Sequence, residues 1–145
     1  MHSARIDEPP MPFTEPLRIA RKTLCSILAA SKIDGTVGSC LYAAIILRMT
    51  VKLYCDRNCA VIRGGDGEGD GGYIDDAGVT HGHYWVEAIA DDGERFVLDV
   101  TADQFGGPAV VEIPSAKAMN TYRPGRQATV DQHVAEELEW VESAR

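Results

Sequence analysis

The stretch HGHYWVEAIADDGERFVLDV, residues His81–Val100, decides the fold because it contains two alternating, half-apolar runs separated by an acidic segment that ends in glycine. Alternation with a period of two is typical of half-buried strands, and Asp-Gly between two such runs is typical of a turn. The stretch therefore predicts a β-hairpin. A plain hairpin has no need of two histidines at one end and Asp99 on its return strand, so these residues indicate a site.

The turn of this hairpin determines which of these side chains share a face. A three-residue loop over Asp91–Gly93, with Gly93 in the left-handed region, sets Trp85 opposite Asp99. His83 is then a diagonal neighbour of Asp99 on the same face, within reach of a hydrogen bond. A two-residue Asp-Gly turn shifts the register by one and sends Asp99 to the far face. The sequence permits both turns, and only the odd-length loop brings His83 and Asp99 together.

A second pairing competes in the same register. Alternation puts His81, His83, Trp85 and Glu87 on one face of the first strand. Asp103 would then lie across from His81 and form another His–Asp pair. The simplest interpretation of that pair is a hydrogen bond at the rim of the site.

The rest of the chain predicts an α+β domain, with N-terminal helices packed on an antiparallel sheet. Residues 1–14 contain three prolines and predict an irregular arm, and residues 15–145 predict a single domain. Helical spacing of apolar residues predicts an amphipathic helix from Glu15 to about Ser31, and the nearly all-apolar segment from Ser39 predicts a buried helix. Further predicted elements are short strands at VKLYC, CAVIRGG and AVVEIPSA and an acidic C-terminal helix at VDQHVAEELEWVESA.

Cys40 lies at the predicted start of the buried helix, in GSCLYAAIIL. Ser39 is a good N-cap, which places Cys40 in the first turn, where the helix dipole favours a thiolate. The amide of Cys40 has no partner within the helix and could donate to an oxyanion. A lone cysteine beside an apolar helix is also commonly a small core residue. The nucleophile interpretation therefore depends on a base, which the hairpin supplies.

The three blocks GSCLYAAIILRMTVKLYC, HYWVE and FVLDVT together resemble the transglutaminase-like branch of the papain-like cysteine enzyme superfamily. The resemblance spans about Gly38 to Thr101 and implies a papain/transglutaminase-like core with a cysteine-bearing helix. It implies Cys40 as nucleophile, His83 as general base and Asp99 as its orienter, with Trp85 packing beside the site. The activity that it implies is hydrolysis, deamidation or acyl transfer at an amide bond through a thioester. The glutamine that often precedes the cysteine in papain-like enzymes is missing here.

The composition and charge of the chain argue against some classes of binding partner. The chain of 145 residues carries a net charge of −8, which argues against nucleic acid and against an anionic membrane surface. The first residues resemble no signal peptide, and no apolar run is long enough to span a bilayer. We therefore expect a cytoplasmic protein with reduced cysteines, no cofactor, and a protein, peptide or small amide as substrate.

The sequence also permits two alternatives to an enzyme, which are a zinc-stabilised binding protein and an inactive relative of the fold. His81 and His83 could bind zinc together with Cys55 and Cys59, although the C-x3-C spacing is looser than in strong zinc signatures. A protein that keeps the fold without activity would be a binding protein. The simpler interpretation of Cys55 and Cys59, which we prefer, is that they are packing residues in a strand and a turn.

Two further features have simple interpretations. GGDGEGDGG, residues 64–72, is most simply a flexible surface loop, although its place beside the histidines would allow a mobile lid. It lacks the repetition and spacing of calcium-binding glycine repeats. His133 lies on the amphipathic C-terminal helix and is most simply a surface residue.

Overall fold

The computed structural model describes residues 11–32, 35, 38–54 and 60–143 and shows an α+β fold with helices packed on an antiparallel sheet. Its helices are α1 (Thr14–Ala30), α2 (Cys40–Tyr54), α3 (Ser115–Ala118) and α4 (Gln127–Ser143), with a 3-10 helix at Ala102–Phe105. Its strands are β1 (Ala60–Gly65), β2 (Gly72–Ile74), β3 (Thr80–His81), β4 (His83–Ile89), β5 (Arg95–Asp99), β6 (Val111–Pro114) and β7 (Tyr122–Arg123).

The larger sheet has the strand order β1-β4-β5-β6 and is antiparallel throughout. Helices α1, α2 and α4 and one face of this sheet share the main core, to which Leu24, Leu47, Val86 and Leu98 contribute fully buried side chains. The other face of the sheet belongs to a second apolar cluster that includes residues of the small sheet β3-β2-β7. The alternation of each strand therefore divides its side chains between two cores, and the histidine face is the second one.

The hairpin has the register of the three-residue loop, as one of the two alternatives predicts. Ile89 pairs with Arg95, and the Ala90 amide donates to the Glu94 carbonyl at 2.8 Å. Gly93 adopts a φ of +91°, the left-handed conformation that this loop requires. His83 and Asp99 consequently lie on one face.

We expect Gly93→Ala to lower the free energy of unfolding by about 1 kcal/mol through backbone strain alone. No atom lies within 4 Å of a Cβ built on Gly93, so the substitution causes no steric clash. Urea unfolding of the two proteins measures the difference. An unchanged midpoint would show that the loop conformation does not depend on glycine.

The prediction of a strand at VKLYC is wrong. Residues 51–54 of VKLYC form the last turn of α2 rather than a strand, because Leu47 and Val51, both buried in the main core, continue the helical spacing. Packing of this apolar stripe outweighs the β-propensity of the segment. Cys55 lies outside the described residues.

His81 is not part of the strand that carries His83. It belongs to β3, which pairs with β2 through Tyr73, and Gly82 separates the two strands. A Cβ on Gly82 would stand 3.2 Å from the Asp66 carbonyl oxygen, so a bare backbone suits the point where the chain passes from one sheet to the other. The long alternating run therefore serves two sheets.

The glycine-rich segment is a loop only in its middle, since Gly64 and Gly65 end β1 and Gly72 begins β2. The Asp66 carboxylate accepts hydrogen bonds from the Glu68 amide at 2.7 Å and from the Asp70 amide at 3.1 Å. These bonds fold residues 66–70 back on themselves beside the sheet.

The N-terminal segment is described from Met11 onward, and residues 1–10 lie outside the described residues. Phe13 precedes α1 and is completely buried, with its ring edge-on to Phe96 at 5.7 Å. Its amide donates to the Glu112 carboxylate at 2.6 Å. The end of the segment that was predicted as an arm is thus part of the main core.

The remaining predicted elements, α1, β1, β6 and α4, are present close to their expected positions. Across the described residues, none of the helices combines the length and the apolar character needed to cross a membrane.

Candidate active site

A buried histidine–aspartate pair lies at the centre of the site. His83 opens β4 and Asp99 closes β5, and their side chains are 0% and 1% exposed. His83 Nε2 and Asp99 Oδ2 are 2.7 Å apart, which is a short charge-assisted hydrogen bond. The diagonal neighbours of the three-residue register therefore make the contact that the sequence predicts.

Asp99 is held by further donors. The Tyr122 hydroxyl donates to Oδ2 at 2.7 Å, and the Thr101 amide and hydroxyl donate to Oδ1 at 3.0 and 3.3 Å. Both carboxylate oxygens are thereby saturated by donors, as a buried carboxylate requires. Because an ionised carboxylate only accepts hydrogen bonds, His83 must carry a proton on Nε2.

Aromatic rings enclose His83 and exclude water from it. Tyr73 and Phe105 stand edge-on to the imidazole at 5.6 and 5.1 Å, and the Trp85 ring is tilted to it at 6.0 Å. Trp85 is 2% exposed and packs beside the site, as the resemblance implies. This dry surrounding strengthens the electrostatic interaction between His83 and Asp99.

Cys40 is the first residue of α2 and is half-buried. The Ala43 amide donates to the Ser39 carbonyl at 2.8 Å, which starts the helix at the expected place. Cys40 and His83 line the same cavity, and Cys40 contributes to raising the pKa of the imidazole. Since Nε2 bonds Asp99, Nδ1 is the ring nitrogen that could exchange a proton with a thiol.

The electrostatics of His83 favour its charged form. Burial lowers the pKa of His83, but the charge and hydrogen bond of Asp99, with a smaller contribution from Cys40, outweigh it and raise the pKa to about 9. At neutral pH the imidazole therefore favours its charged form, with protons on both Nε2 and Nδ1, which is the form that it would have after taking the proton of a thiol.

Gln104 also reaches the imidazole. It lies in the 3-10 helix, and its Nε2 is 3.3 Å from His83 Nδ1. An amide N–H can donate to Nδ1 only while that nitrogen is unprotonated. Gln104 thus contacts the nitrogen that would take the thiol proton.

A cavity of about 340 Å³ opens beside Cys40 and His83. Its walls come from the ends of β1 and β4, the Asp66–Asp70 turn and the first turns of α4. Asp70 closes one side by accepting from the Arg126 amide at 3.1 Å. The volume is at the lower end of the range typical of small-molecule sites.

Tyr84 and His133 line the same cavity, and the Tyr84 hydroxyl hydrogen-bonds His133 Nδ1. The interpretation of His133 as a simple surface residue is therefore wrong. Its helix packs against β1 and α2, which directs the half-buried imidazole toward the cysteine end of the sheet.

The competing pair of His81 with Asp103 does not form. His81 Nε2 contacts Asp75 Oδ2 at 2.7 Å, and its ring stacks on Phe105. Asp103 instead forms an ion pair with Arg21 of α1, with Nη2 and Oδ2 2.9 Å apart. The pairing fails because the chain enters the 3-10 helix after Thr101 and no longer continues the strand.

The zinc hypothesis depends on two cysteines, Cys55 and Cys59, that lie outside the described residues. Among the residues that the structure does describe, no group of three or more histidine, cysteine, aspartate or glutamate side chains could hold a metal ion. His83 uses its Nε2 on Asp99 in this arrangement.

Sequence reasoning missed Tyr84, Gln104, Tyr122 and His133. Tyr122 is 23 positions from Asp99, and His133 is 49 positions from Tyr84, so no local periodicity connects them. A weak signal existed for Tyr84 alone, since it adjoins the predicted base. Apart from this, only the packing of the small sheet and of α4 brings these side chains to the site.

The chain has no significant match among protein-family models, among curated proteins or among solved structures.

Proposed function

We propose that the protein is a cysteine-dependent amide-bond enzyme with Cys40 as nucleophile, His83 as general base and Asp99 as the orienter of the imidazole. One observation carries the proposal. A buried His83–Asp99 hydrogen bond of 2.7 Å holds the imidazole by Nε2, and the Cys40 thiol at the start of α2 lines the same cavity as this imidazole. A base that is held by an orienter, with a thiol beside it, is the arrangement of an activated nucleophile.

The reaction follows from this arrangement. The Cys40 sulfur attacks a carboxamide or peptide carbonyl carbon, a C–S bond forms, and the carbonyl π electrons move to oxygen. His83 Nδ1 takes the thiol proton and later gives it to the leaving amine as the C–N bond breaks. Asp99 holds the proton on Nε2 and stabilises the imidazolium. Water or an amine then attacks the thioester carbonyl and gives a proton to His83, and the C–S bond breaks as that proton returns to the sulfur, which gives hydrolysis, deamidation or transfer.

The proposal extends to the family. A cysteine that opens a buried helix, a strand that starts with H-Y-W-V-E and a next strand that ends in aspartate support a papain/transglutaminase-like core. The chain departs from the papain-like pattern in the loop before Cys40, which has no glutamine. We propose proteins, peptides or small amides as substrates.

The first test is the alkylation of cysteines by limiting iodoacetamide at neutral pH, followed by mass spectrometry of each cysteine peptide. We expect Cys40 to react at least about tenfold faster than Cys25, although Cys25 is the more exposed of the two. The physical reason is that His83 takes the thiol proton and the thiolate is the reactive form.

His83→Gln is the matched variant for this test, because glutamine can still donate to Asp99 but cannot take the thiol proton. We expect it to abolish the advantage of Cys40 while leaving the rate of Cys25 unchanged. Equal rates for all four cysteines in the unaltered protein would remove the nucleophile and leave a binding protein. About one zinc per chain by elemental analysis, lost in Cys55→Ala, would favour the metal site instead.

A further inference from the structure

Tyr84 is placed in the cavity by its neighbour across the sheet. Its partner in β1 is Gly64, and a Cβ there would stand 2.7 Å from Tyr84 Cδ1 and 3.2 Å from Cε1. The ring therefore lies over a residue without a side chain. From this position its hydroxyl reaches His133 Nδ1 of α4, and Tyr84 lines the cavity together with Cys40.

The environment keeps this phenol protonated. Burial raises the pKa of Tyr84, and the charges of Cys40 and Glu136 raise it further. Tyr84 and Cys40 also line the same cavity. A protonated hydroxyl that lines the cavity of the thiol is a hydrogen-bond donor at neutral pH.

Acylation of Cys40 needs such a donor. Attack on a carbonyl places a negative charge on oxygen, and enzymes stabilise it with preorganised N–H or O–H groups. The Cys40 amide at the start of α2 can supply one donor, since the first amides of a helix have no partner within it. The residues before Cys40, from Lys32 to Ser39, contain no side-chain amide that could supply another.

We propose that the Tyr84 hydroxyl is the second oxyanion donor of this site and that His133 is its positioning residue. His133 donates its Nδ1–H to the phenol oxygen, which leaves the phenol proton free to bond the carbonyl oxygen of an acyl substrate. The inference rests on the proposed function. This direction of the hydrogen bond requires the His133 tautomer with its proton on Nδ1.

Two reactions of Cys40 separate this role from the nucleophile itself. Alkylation by iodoacetamide is a displacement at a saturated carbon and forms no oxyanion, whereas acylation by p-nitrophenyl acetate does. We expect Tyr84→Phe to slow the burst of p-nitrophenol by about 10²-fold, the effect of losing one oxyanion donor, and to alter Cys40 alkylation by less than about twofold.

His133 is tested with a pair of substitutions. In His133→Asn the side-chain amide occupies roughly the place of Nδ1–H and can still donate to Tyr84, whereas His133→Leu cannot. We expect His133→Asn to retain most of the acylation rate and His133→Leu to lose about tenfold. Equal losses in the two variants would show that His133 only fills space and would overturn its positioning role.

The outcomes distinguish this inference from the function on which it rests. If Cys40 of the unaltered protein shows no selective alkylation, the proposed function fails. If Cys40 alkylates selectively but gives no burst, or if Tyr84→Phe bursts at the unaltered rate, the oxyanion role of Tyr84 is overturned. If Tyr84→Phe slows alkylation and acylation equally, Tyr84 positions the thiol and the oxyanion role is likewise overturned.

Discussion

Asp99→Asn is expected to lower the rate of Cys40 acylation by about 10³- to 10⁴-fold while the fold remains intact. Asparagine has the same shape, and with its amide nitrogen in the place of Oδ2 its oxygen still accepts from Thr101, while the Tyr122 hydroxyl has to accept rather than donate. Its amide can also donate to His83 Nε2, which would shift the imidazole proton to Nδ1. An Nδ1 that already carries a proton cannot take the proton of the thiol, so the nucleophile is not activated.

Asp103→Asn is the matched control, because it makes the same chemical change at a carboxylate that contacts Arg21 rather than His83. We expect its acylation rate to stay within about threefold of the unaltered protein. The measurement is the p-nitrophenol burst, with circular dichroism to verify folding. Equal losses in the two variants, or a larger loss in Asp103→Asn, would contradict the assignment of Asp99.

The second large effect is on stability. We expect the protein to lose about 3 kcal/mol of unfolding free energy as the pH rises from 6.5 to 9. Burial opposes the charge on His83, but Asp99 more than compensates, so the pKa rises from 6.5 to about 9 in the folded protein. A raised pKa stabilises the folded state fully below pH 6.5, and this contribution is lost as the pH approaches and passes the folded value.

Urea unfolding at pH 6, 7.5 and 9, under reducing conditions, measures this loss. His83→Gln serves as the reference, because it removes the titrating group and should flatten the pH dependence over this window. Tyr122, whose pKa is also raised by burial and by Asp99, has an ordinary value of 10 and therefore contributes only above the window. A stability that is constant from pH 6 to 9 would contradict a charged His83.

The hairpin shows what can be predicted from the number of residues in a loop, because an odd or an even number decides which side chains share a face. The loop over Asp91–Gly93 fixes the register, and the register fixes the face of His83 and Asp99, so one glycine in the left-handed region determines the central contact. This inference works because strand geometry is local and has a period of two. The start of a helix at Ser39 and Cys40 is also predictable, because an N-cap depends on local sequence.

The errors arise where tertiary packing decides. The alternating run from His81 continues across Gly82 in the sequence, but the backbone there approaches Asp66 and divides the run between two sheets. Asp103 does not continue the strand, because the chain enters the 3-10 helix at Ala102. Its carboxylate forms an ion pair with Arg21 instead. These events involve residues far apart in sequence, and alternation alone carries no information about them.

The glycine-rich turn also restricts how the protein could be made more thermostable. Replacing glycine by alanine commonly stabilises a protein by reducing the conformational entropy of the unfolded chain. Such substitutions would cause steric clashes in this turn. A methyl group on Gly65 would lie 2.2 Å from the backbone of Gly71, and a methyl group on Gly71 would lie 2.3 Å from the Arg123 carbonyl oxygen. The segment therefore keeps the entropic cost of its glycines, and heat resistance would have to come from substitutions elsewhere in the chain.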